Sequence, residues 1–188
     1  MNVRQEKDKL RREYLEKRRA IPDELRRRID RAVCDAFLSS ATFNLSDTVL
    51  AYAPKGAEVD VMPIVTEALR LGKRVAFPRC EEANALSFRY ARPEELIVGA
   101  FGIREPHESA LLCDRFNATV CLVPALLFDR EGYRIGYGKG YYDRFLASVD
   151  VRAVGIARHD FILPTLPRGR FDRSVDMLVS ETEVLFLS

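Results

Sequence analysis

The sequence is poor in the residues on which metal centres, disulfide frameworks and catalytic triads depend. Its 188 residues include only two histidines, His107 and His159, which stand in no triad-like arrangement. The four cysteines are scattered, without the C-x-x-C spacing of a zinc site: Cys34, Cys80, Cys113 and Cys121. We therefore expect reduced thiols, as in a cytoplasmic protein, rather than zinc or disulfides.

Long apolar runs are also missing. No stretch approaches the roughly 20 apolar residues of a membrane-spanning helix. The first residues, MNVRQEKDKLRREY, lack the apolar segment of a secretory signal. Internal repeats and low-complexity segments are absent from the sequence as well. We therefore expect a cytoplasmic protein without a membrane partner.

What the chain does contain is the composition of an ordinary globular protein, with 47% apolar and 31% charged residues. Its formal charge of +2 is too small to indicate nucleic acid, although the first thirty residues hold eleven Lys/Arg against seven Asp/Glu. Such a basic segment could meet RNA, a membrane or a phosphate ligand, or form a solvated helix face. We expect a single domain over residues 1–188, monomeric and without a nucleic-acid partner.

The apolar pattern predicts strands that alternate with helices. Helices are expected over residues 3–20, from Pro22 onward, over 61–71 and over 140–149. Short apolar runs predict strands at 48–53, 74–78, 119–123, 153–157, 177–179 and 184–187, with 86–91 as an edge hairpin partner and 92–118 irregular. This order favours an α/β fold: a Rossmann-like, three-layer domain with a mainly parallel or mixed sheet and helices on both faces. Ligands of such sheets lie at the carboxyl ends of the strands.

The most informative segment is Val123–Leu146, VPALLFDREGYRIGYGKGYYDRFL. Arg134 and Lys139 accompany three glycines at alternate positions: Gly136, Gly138 and Gly140. Glycine lets backbone N–H groups turn toward a ligand, and the N-terminus of the helix that follows offers unpaired donors. The loop is neither a Walker A sequence nor a dinucleotide G-x-G-x-x-G. A tight turn and a polyphosphate cradle both remain open, and the flanking cations favour the cradle.

The residues around this loop each have a structural and a functional interpretation. Asp143, in the first turn of the following helix, either stabilises the helix dipole or supplies an oxygen ligand to Mg²⁺. Tyr142 lies on the apolar helix face and is most simply core. Tyr137 and Tyr141 lie off that face, so they could line a pocket for a flat ligand ring. Glu58, in the loop KGAEVD, is by itself a surface acid.

The segment Pro124–Arg144, with its F-D-x-x-G-x-R-x-G-x-G-x-G-Y-Y-D-R, resembles the signature of the 5-formyltetrahydrofolate cyclo-ligases, also called methenyltetrahydrofolate synthetases. Three further segments are similar to motifs of that family. They are K-x-x-L-R at residues 7–11, Y-x-x-x-x-x-E-V-D at 52–60, and V-D at 175–176 followed by S-E at 180–181, which is similar to the family's V-D…T-E. The resemblance spans nearly the whole chain, and its glycine motif is long and specific.

The resemblance implies ATP-dependent closure of 5-formyltetrahydrofolate to 5,10-methenyltetrahydrofolate, with release of ADP and phosphate. ATP would phosphorylate the formyl oxygen, and the folate N10 would then attack the formyl carbon. Because phosphoryl transfer mainly needs positioning and charge neutralisation, we expect Lys139 and Arg134 to be the catalytic cations. Carried over by position, the ATP-binding set is Lys7, Arg11, Arg134, Gly136, Tyr137, Gly138, Lys139, Gly140, Tyr141 and Tyr142. The substrate contacts are Ala53, Glu58, Tyr137 and Tyr141, and the Mg²⁺ ligands are Asp143 and Asp176.

Two positions depart from the family's pattern. Phe161 stands where the family often has glutamine, and Phe171 stands where it often has histidine, just before Asp172. Both concern the pterin pocket or its lid and leave the phosphate site intact. One alternative is therefore a paralogue with the same ATP site and an altered substrate, and another is a non-catalytic binder of folate, nucleotide or RNA. A sugar-phosphate isomerase is disfavoured by the cationic N-terminal helix and the paired aspartates.

Overall fold

The computed structural model describes residues 2–187, apart from the side chain of residue 100. Five α-helices occur in this part of the chain: α1 (Val3–Ala20), α2 (Asp23–Leu38), α3 (Ala41–Asn44), α4 (Met62–Arg70) and α5 (Tyr141–Ser148). The strands are β1 (Thr48–Leu50), β2 (Arg74–Cys80), β3 (Leu86–Tyr90), β4 (Ile97–Val98), β5 (Arg104–Glu105), β6 (Thr119–Val123), β7 (Leu127–Asp129), β8 (Arg134–Ile135), β9 (Arg152–Ile156), β10 (Ile162–Leu163), β11 (Met177–Val179) and β12 (Val184–Phe186). Asn2 and Gln5 form a capping box at the start of α1, and Pro22 precedes α2.

The main sheet has seven strands in the order β12-β11-β9-β6-β1-β2-β3. Its five inner strands are parallel to one another, whereas the edge strands β12 and β3 are antiparallel to their neighbours. The predicted α/β class and the mainly parallel, mixed sheet are therefore confirmed. The hairpin partner predicted at 86–91 is also confirmed, as β3.

Helices cover both faces of this sheet because successive strand residues point to opposite sides. On one face, β-strand residues pack with buried residues of α2 and α4: Val49, Val75, Val120, Leu122, Val154 and Met177. On the other face, alternate positions pack with Phe145 of α5: Leu50, Ala76, Cys121, Val123, Ala153 and Leu178. The three-layer arrangement follows from this alternation.

A third apolar cluster brings α1 beside the glycine loop. Leu10 and Tyr14 of α1 pack against Leu127 and Ile135, which belong to the β7–β8 hairpin. Phe161 joins the same cluster. The N-terminal helix therefore lies on the segment that leads into the loop, although about 125 residues separate them in sequence.

The structure differs from the sequence-based expectation in the short strands. The strand predicted over 48–53 ends at Leu50, and the three residues after it are buried in extended chain before Pro54. The strand at 119–123 does not lead directly into the glycine loop, because the β7–β8 hairpin intervenes and forms a second sheet with β10. Runs of two or three residues are too short for a periodic pattern to reveal.

The structure also shows the state of the cysteines and the character of the helices in the described residues. All four thiols are free, and three of them are buried. Residues 2–187 contain no helix with the length and hydrophobicity needed to span a membrane.

Candidate active site

The glycine loop joins β8 to α5 through backbone that only glycine adopts easily. Gly138 and Gly140 have φ angles of 94° and 68°, in the left-handed region. Gly140 is the N-cap residue of α5 and supplies no capping side chain, so the first-turn N–H groups of this eight-residue helix have no side-chain partner at that position. The loop therefore has the backbone freedom that an anion cradle requires.

A cleft of about 720 Å³ lies between α1 and the loop. Three cations and one carboxylate of α1 line it together with two loop residues: Arg4, Lys7, Asp8, Arg11, Tyr137 and Gly138. Arg11 Nε donates a hydrogen bond of 2.8 Å to the carbonyl oxygen of Gly136. The structure thus brings together Lys7, Arg11 and the glycine loop, which the sequence resemblance assigns to one ligand.

The chain segment around residue 173 contacts both α1 and Arg134, which precedes the glycine loop. The Lys7 ammonium group pairs with the carboxylate of Asp172. Arg134 donates a hydrogen bond of 2.7 Å to the carbonyl oxygen of Arg173. Both ends of the chain therefore meet at the glycine loop, as the distribution of the motifs predicts.

The two predicted catalytic cations differ in their surroundings. Arg134 is 8% exposed, and its guanidinium donates a 2.8 Å bond to Asp143 Oδ1. Lys139 is exposed, and its ammonium group lies 5.7 Å from the centre of the Phe101 ring, without an ion pair in the described part of the chain. Lys139 is therefore the cation available to a ligand, whereas Arg134 shapes the loop and holds Asp143.

The two predicted magnesium ligands have different local roles. Asp143 Oδ1 accepts hydrogen bonds from Arg134 and from the Arg173 amide, while Oδ2 has no protein partner among the described residues. Asp176 Oδ2 accepts a 2.7 Å bond from the Ala153 amide at the start of β9. Across residues 2–187 there is no group of three or more His, Cys, Asp or Glu that could hold a metal. Asp143 fits a single carboxylate ligand of a metal bound mainly by phosphate oxygens.

Glu58 is not the isolated surface acid that its sequence context suggests. Its Oε2 accepts a 2.8 Å hydrogen bond from the Lys55 amide. Burial raises the pKa of Glu58, and the Lys55 hydrogen bond and the Arg18 charge oppose that rise. The Tyr137 hydroxyl lies beside both Glu58 and Arg18, and burial together with the Glu58 charge raises the pKa of Tyr137. The predicted substrate residues Glu58 and Tyr137 therefore share one environment.

The β4–β5 hairpin reaches this environment, which the sequence did not predict. Phe101, at its tip, is 56% exposed and adopts a φ of 57°. The Lys55 ammonium group donates a hydrogen bond to the Phe101 carbonyl oxygen. Phe101 therefore lies between Lys55 of the Glu58 loop and Lys139 of the glycine loop, in a strained backbone conformation that is common at functional sites.

Two buried arginines were also missed by sequence reasoning. Arg18 is 4% exposed, and Arg158 is 2% exposed and donates to both oxygens of Asp30 at 2.7 and 3.0 Å. A signal exists for Arg18, because Leu10, Tyr14 and Arg18 recur at four-residue spacing on one helix face. Arg158 follows a predicted strand directly, and no pattern in the sequence distinguishes it from a surface cation.

The remaining predicted or divergent aromatic residues separate into core and surface. Tyr142 packs edge-to-face on Phe88 at 6.4 Å, and its hydroxyl is buried without a partner among the described residues. Phe161 is buried and contacts Tyr14 edge-to-face at 5.9 Å. Phe171, by contrast, is 78% exposed. The core interpretation of Tyr142 is therefore confirmed, and its predicted ATP contact stays a prediction.

These elements define a class of protein: an α/β enzyme whose cationic cleft and glycine loop suit a polyphosphate beside a second, partly buried binding region. Comparison with known proteins gives the class its family. A family model described as the 5-formyltetrahydrofolate cyclo-ligase family matches residues 3–181. The chain belongs to this family of ligases of folate one-carbon metabolism.

Individual relatives agree with that assignment. The chain is 34% identical over 174 residues to the 5-formyltetrahydrofolate cyclo-ligase of Mycolicibacterium smegmatis, covering 88% of this chain and 89% of the relative. It is 26% identical to the Escherichia coli protein of the same name over 178 residues, covering 90% and 97% of the two chains. The NMR structure of Aquifex aeolicus 5,10-methenyltetrahydrofolate synthetase superimposes with a TM-score of 0.83 at 37% identity, covering 96% and 92% of the two chains.

Proposed function

We propose that this protein uses ATP to convert 5-formyltetrahydrofolate into 5,10-methenyltetrahydrofolate, releasing ADP and phosphate. The observation that carries the proposal is the shared cleft of Lys7, Arg11 and the glycine loop, which adjoins Glu58 through Tyr137. A triphosphate in the cleft and a reduced folate beside Glu58 would meet at Lys139. Membership in the cyclo-ligase family supports the choice of substrate.

The reaction proceeds in two steps that need no protein nucleophile. The formyl oxygen attacks the γ-phosphorus of ATP, the bond to the bridging oxygen breaks, and ADP leaves. N10 of the folate then attacks the activated formyl carbon, forming the new C–N bond. The C–O bond breaks, phosphate departs with the former formyl oxygen, and N10 loses its proton. The product is the methenyl bridge between N5 and N10.

The chain's contribution is positioning and charge neutralisation, which are the main requirements of phosphoryl transfer. Lys139 would neutralise charge on the transferring phosphoryl group, because it is the loop cation without an ion pair in the described residues. Arg11 and Lys7 would bind the outer phosphates from α1. Arg134 would hold the loop and Asp143 in place through the bonds that the structure shows.

Magnesium is expected with the triphosphate, where it would neutralise the charge of the phosphates. Asp143 would hold it through Oδ2, the oxygen that Arg134 leaves available. Asp176 stays a second predicted ligand, although one of its oxygens already accepts the Ala153 amide hydrogen bond. Omitting Mg²⁺ is expected to abolish turnover.

The direct test is to mix the protein with 5-formyltetrahydrofolate, ATP and Mg²⁺ and to follow the methenyl chromophore and ADP together. We expect equal amounts of both products, formed only when both substrates are present. ATP binding without methenyl formation would contradict the proposal and favour a paralogue with a different substrate. The paralogue is the second candidate because Phe161 is buried beside Arg18, at a position where the family often has glutamine.

The remaining expectations concern the form and location of the enzyme. A monomer is expected, and analytical ultracentrifugation tests it. Four free thiols agree with a reducing compartment such as the cytoplasm.

A further inference from the structure

Arg18 combines deep burial with unused hydrogen-bonding capacity. Its side chain lies at the C-terminal end of α1, and the residue is 4% exposed. The Nη2 nitrogen donates to the carbonyl oxygens of Ala125 and Leu126, at 2.7 and 2.9 Å. The other two nitrogens, Nε and Nη1, are buried and have no hydrogen-bond partner within residues 2–187.

No carboxylate neutralises this guanidinium in the described part of the chain. Arginine is rarely this buried unless it is paired, because its charge loses hydration and gains nothing in return. Burial accordingly lowers the pKa of Arg18. The same protein shows the usual solution at Arg158, whose guanidinium meets both carboxylate oxygens of Asp30.

The guanidinium cannot turn away to find another partner. Two backbone carbonyls fix Nη2, and the centre of the Phe161 ring lies 5.3 Å from Cζ. Tyr14 packs against the edge of that ring. The unpartnered donors of Arg18 are therefore held in one orientation, as in a prepared binding site.

The surroundings of these donors are those of the folate region. The Tyr137 hydroxyl lies beside Arg18, and the Glu58 charge raises the pKa of Arg18, against the effect of burial. A cation with free N–H groups thus stands near a carboxylate that accepts hydrogen bonds. Together the two side chains present both an acceptor and donors to one ligand.

The pterin ring of a reduced folate has a matching edge. Its 2-amino group and N3–H are donors, and the 4-oxo oxygen beside them is an acceptor. Glu58 is suited to the two donors, which leaves the oxygen for Arg18. The formyl oxygen is a poorer candidate, because a cation bonded to it would withdraw the electron pair that must attack phosphorus.

We propose that Arg18 is a specificity-determining residue that donates hydrogen bonds from Nε or Nη1 to the 4-oxo oxygen of the pterin ring. The proposal rests on the proposed function and adds a contact that distinguishes 4-oxo from 4-amino pterins. A 4-amino analogue places a donor where Arg18 needs an acceptor, so the wild-type protein binds it less tightly.

The test compares the affinities of two ligands for three proteins by titration calorimetry. The ligands are 5-formyltetrahydrofolate and its 4-amino analogue, and the proteins are wild type, Arg18→Met and the exposed neighbour control Arg19→Met. We expect Arg18→Met to weaken binding of the 4-oxo ligand about 10-fold or more, as for a hydrogen bond to a charged group. Affinity for the 4-amino analogue should be unchanged or improved, and Arg19→Met should match wild type for both ligands.

Three outcomes separate the two proposals. If wild type binds and converts 5-formyltetrahydrofolate but Arg18→Met loses affinity for both ligands equally, or for neither, the role of Arg18 is refuted. If wild type neither binds nor converts the folate, the proposed function itself is refuted. If circular dichroism shows that Arg18→Met does not fold, Arg18→Lys takes its place, because it keeps the charge and loses the planar donors. The same selective loss is then expected, and equal affinities would again refute the role.

Discussion

Two buried arginines lie near Glu58, and they differ in how completely their guanidinium groups are hydrogen-bonded. Arg158 donates to both oxygens of Asp30 and to the carbonyl oxygens of Ala57 and Glu58, at 3.0 and 3.3 Å. Arg18 keeps two nitrogens unpartnered among the described residues and meets no carboxylate there. The first arrangement holds the backbone of the Glu58 loop, whereas the second leaves binding capacity for a ligand. Burial alone therefore does not distinguish scaffold from site; the completeness of the hydrogen bonds does.

The same contrast extends to the residues around each arginine. Asp30 is 5% exposed and also accepts a 3.0 Å bond from the Asp60 amide, so the region of Arg158 is closed and satisfied. At the glycine loop, by contrast, Lys139 is exposed and the first-turn amides of α5 have no capping side chain, so this region is open to a ligand. Substitutions in the satisfied region should therefore change stability, whereas substitutions in the open region should change turnover.

The largest effect on stability is expected from breaking the Asp30–Arg158 pair. Arg158→Met leaves Asp30 buried without its cation and should cost about 3–5 kcal/mol of the free energy of unfolding. Guanidinium denaturation measures this. The double variant Asp30→Leu with Arg158→Met removes both charges and should recover most of the lost stability. If Arg158→Met alone stays within about 1 kcal/mol of wild type, the structural role of the Asp30–Arg158 pair is refuted.

Lys139→Ala should act on turnover instead. Removing the cation from the transferring phosphoryl group is expected to lower kcat about 100-fold or more, because a positive charge positioned where negative charge develops stabilises the transition state. The free energy of unfolding should stay within about 0.5 kcal/mol, since Lys139 is exposed. Stopped-flow detection of the methenyl product measures kcat, and Lys9→Ala, exposed on α1, is the matched control. Near-normal turnover of Lys139→Ala would refute its role.

Gly138→Ala tests the loop backbone. An alanine at φ 94° is strained, and its Cβ would lie 3.5 Å from the guanidinium carbon of Arg11. We expect the KM for ATP to rise about 10-fold and stability to fall by about 1–2 kcal/mol. Gly72→Ala has a comparable φ of 76° with no atom within 4 Å of its Cβ, so it should lose similar stability and leave KM unchanged. Equal KM values for the two variants would argue against a phosphate-binding role of the loop.

The smallest effect is a pH dependence at Glu58. Burial raises its pKa in the folded protein, so the folded state retains the proton at pH values where the unfolded chain has lost it. The stabilisation from Glu58 is therefore complete at pH values below its pKa in the unfolded chain. It is lost as the pH rises through its pKa in the folded protein. Glu58→Gln removes the titration. Between pH 4 and pH 7, the free energy of unfolding of Glu58→Gln should increase relative to that of wild type. A difference that does not change with pH would contradict the raised pKa of Glu58.

Sequence reasoning predicted the α/β class, most strands and the meeting of Lys7, Arg11 and the glycine loop. It did so because apolar periodicity is local and because the family motifs are long. It missed the β7–β8 hairpin, whose strands are too short for a periodic signal. It also missed Phe101 and Arg158, since their positions depend on contacts between residues far apart in sequence, such as Arg158 with Asp30 and Lys55 with Phe101.

Arg18 is an intermediate case. Its place on the apolar face of α1 is indicated by the four-residue spacing with Leu10 and Tyr14, but seven other cations lie on the same helix and no pattern separates Arg18 from them. Only the structure shows that its charge is buried and incompletely bonded. Whether a buried charge finds all its hydrogen-bond partners depends on three-dimensional packing, so no pattern in one sequence reveals it.

The central claim is that the formyl oxygen becomes part of the released phosphate, and isotope transfer tests it most directly. 5-Formyltetrahydrofolate labelled with oxygen-18 in the formyl group is converted in a single turnover, and the inorganic phosphate is analysed by mass spectrometry. The account predicts one labelled oxygen in each phosphate released. Label found in water, with unlabelled phosphate, would show that the formyl oxygen is never phosphorylated and would contradict the proposed chemistry.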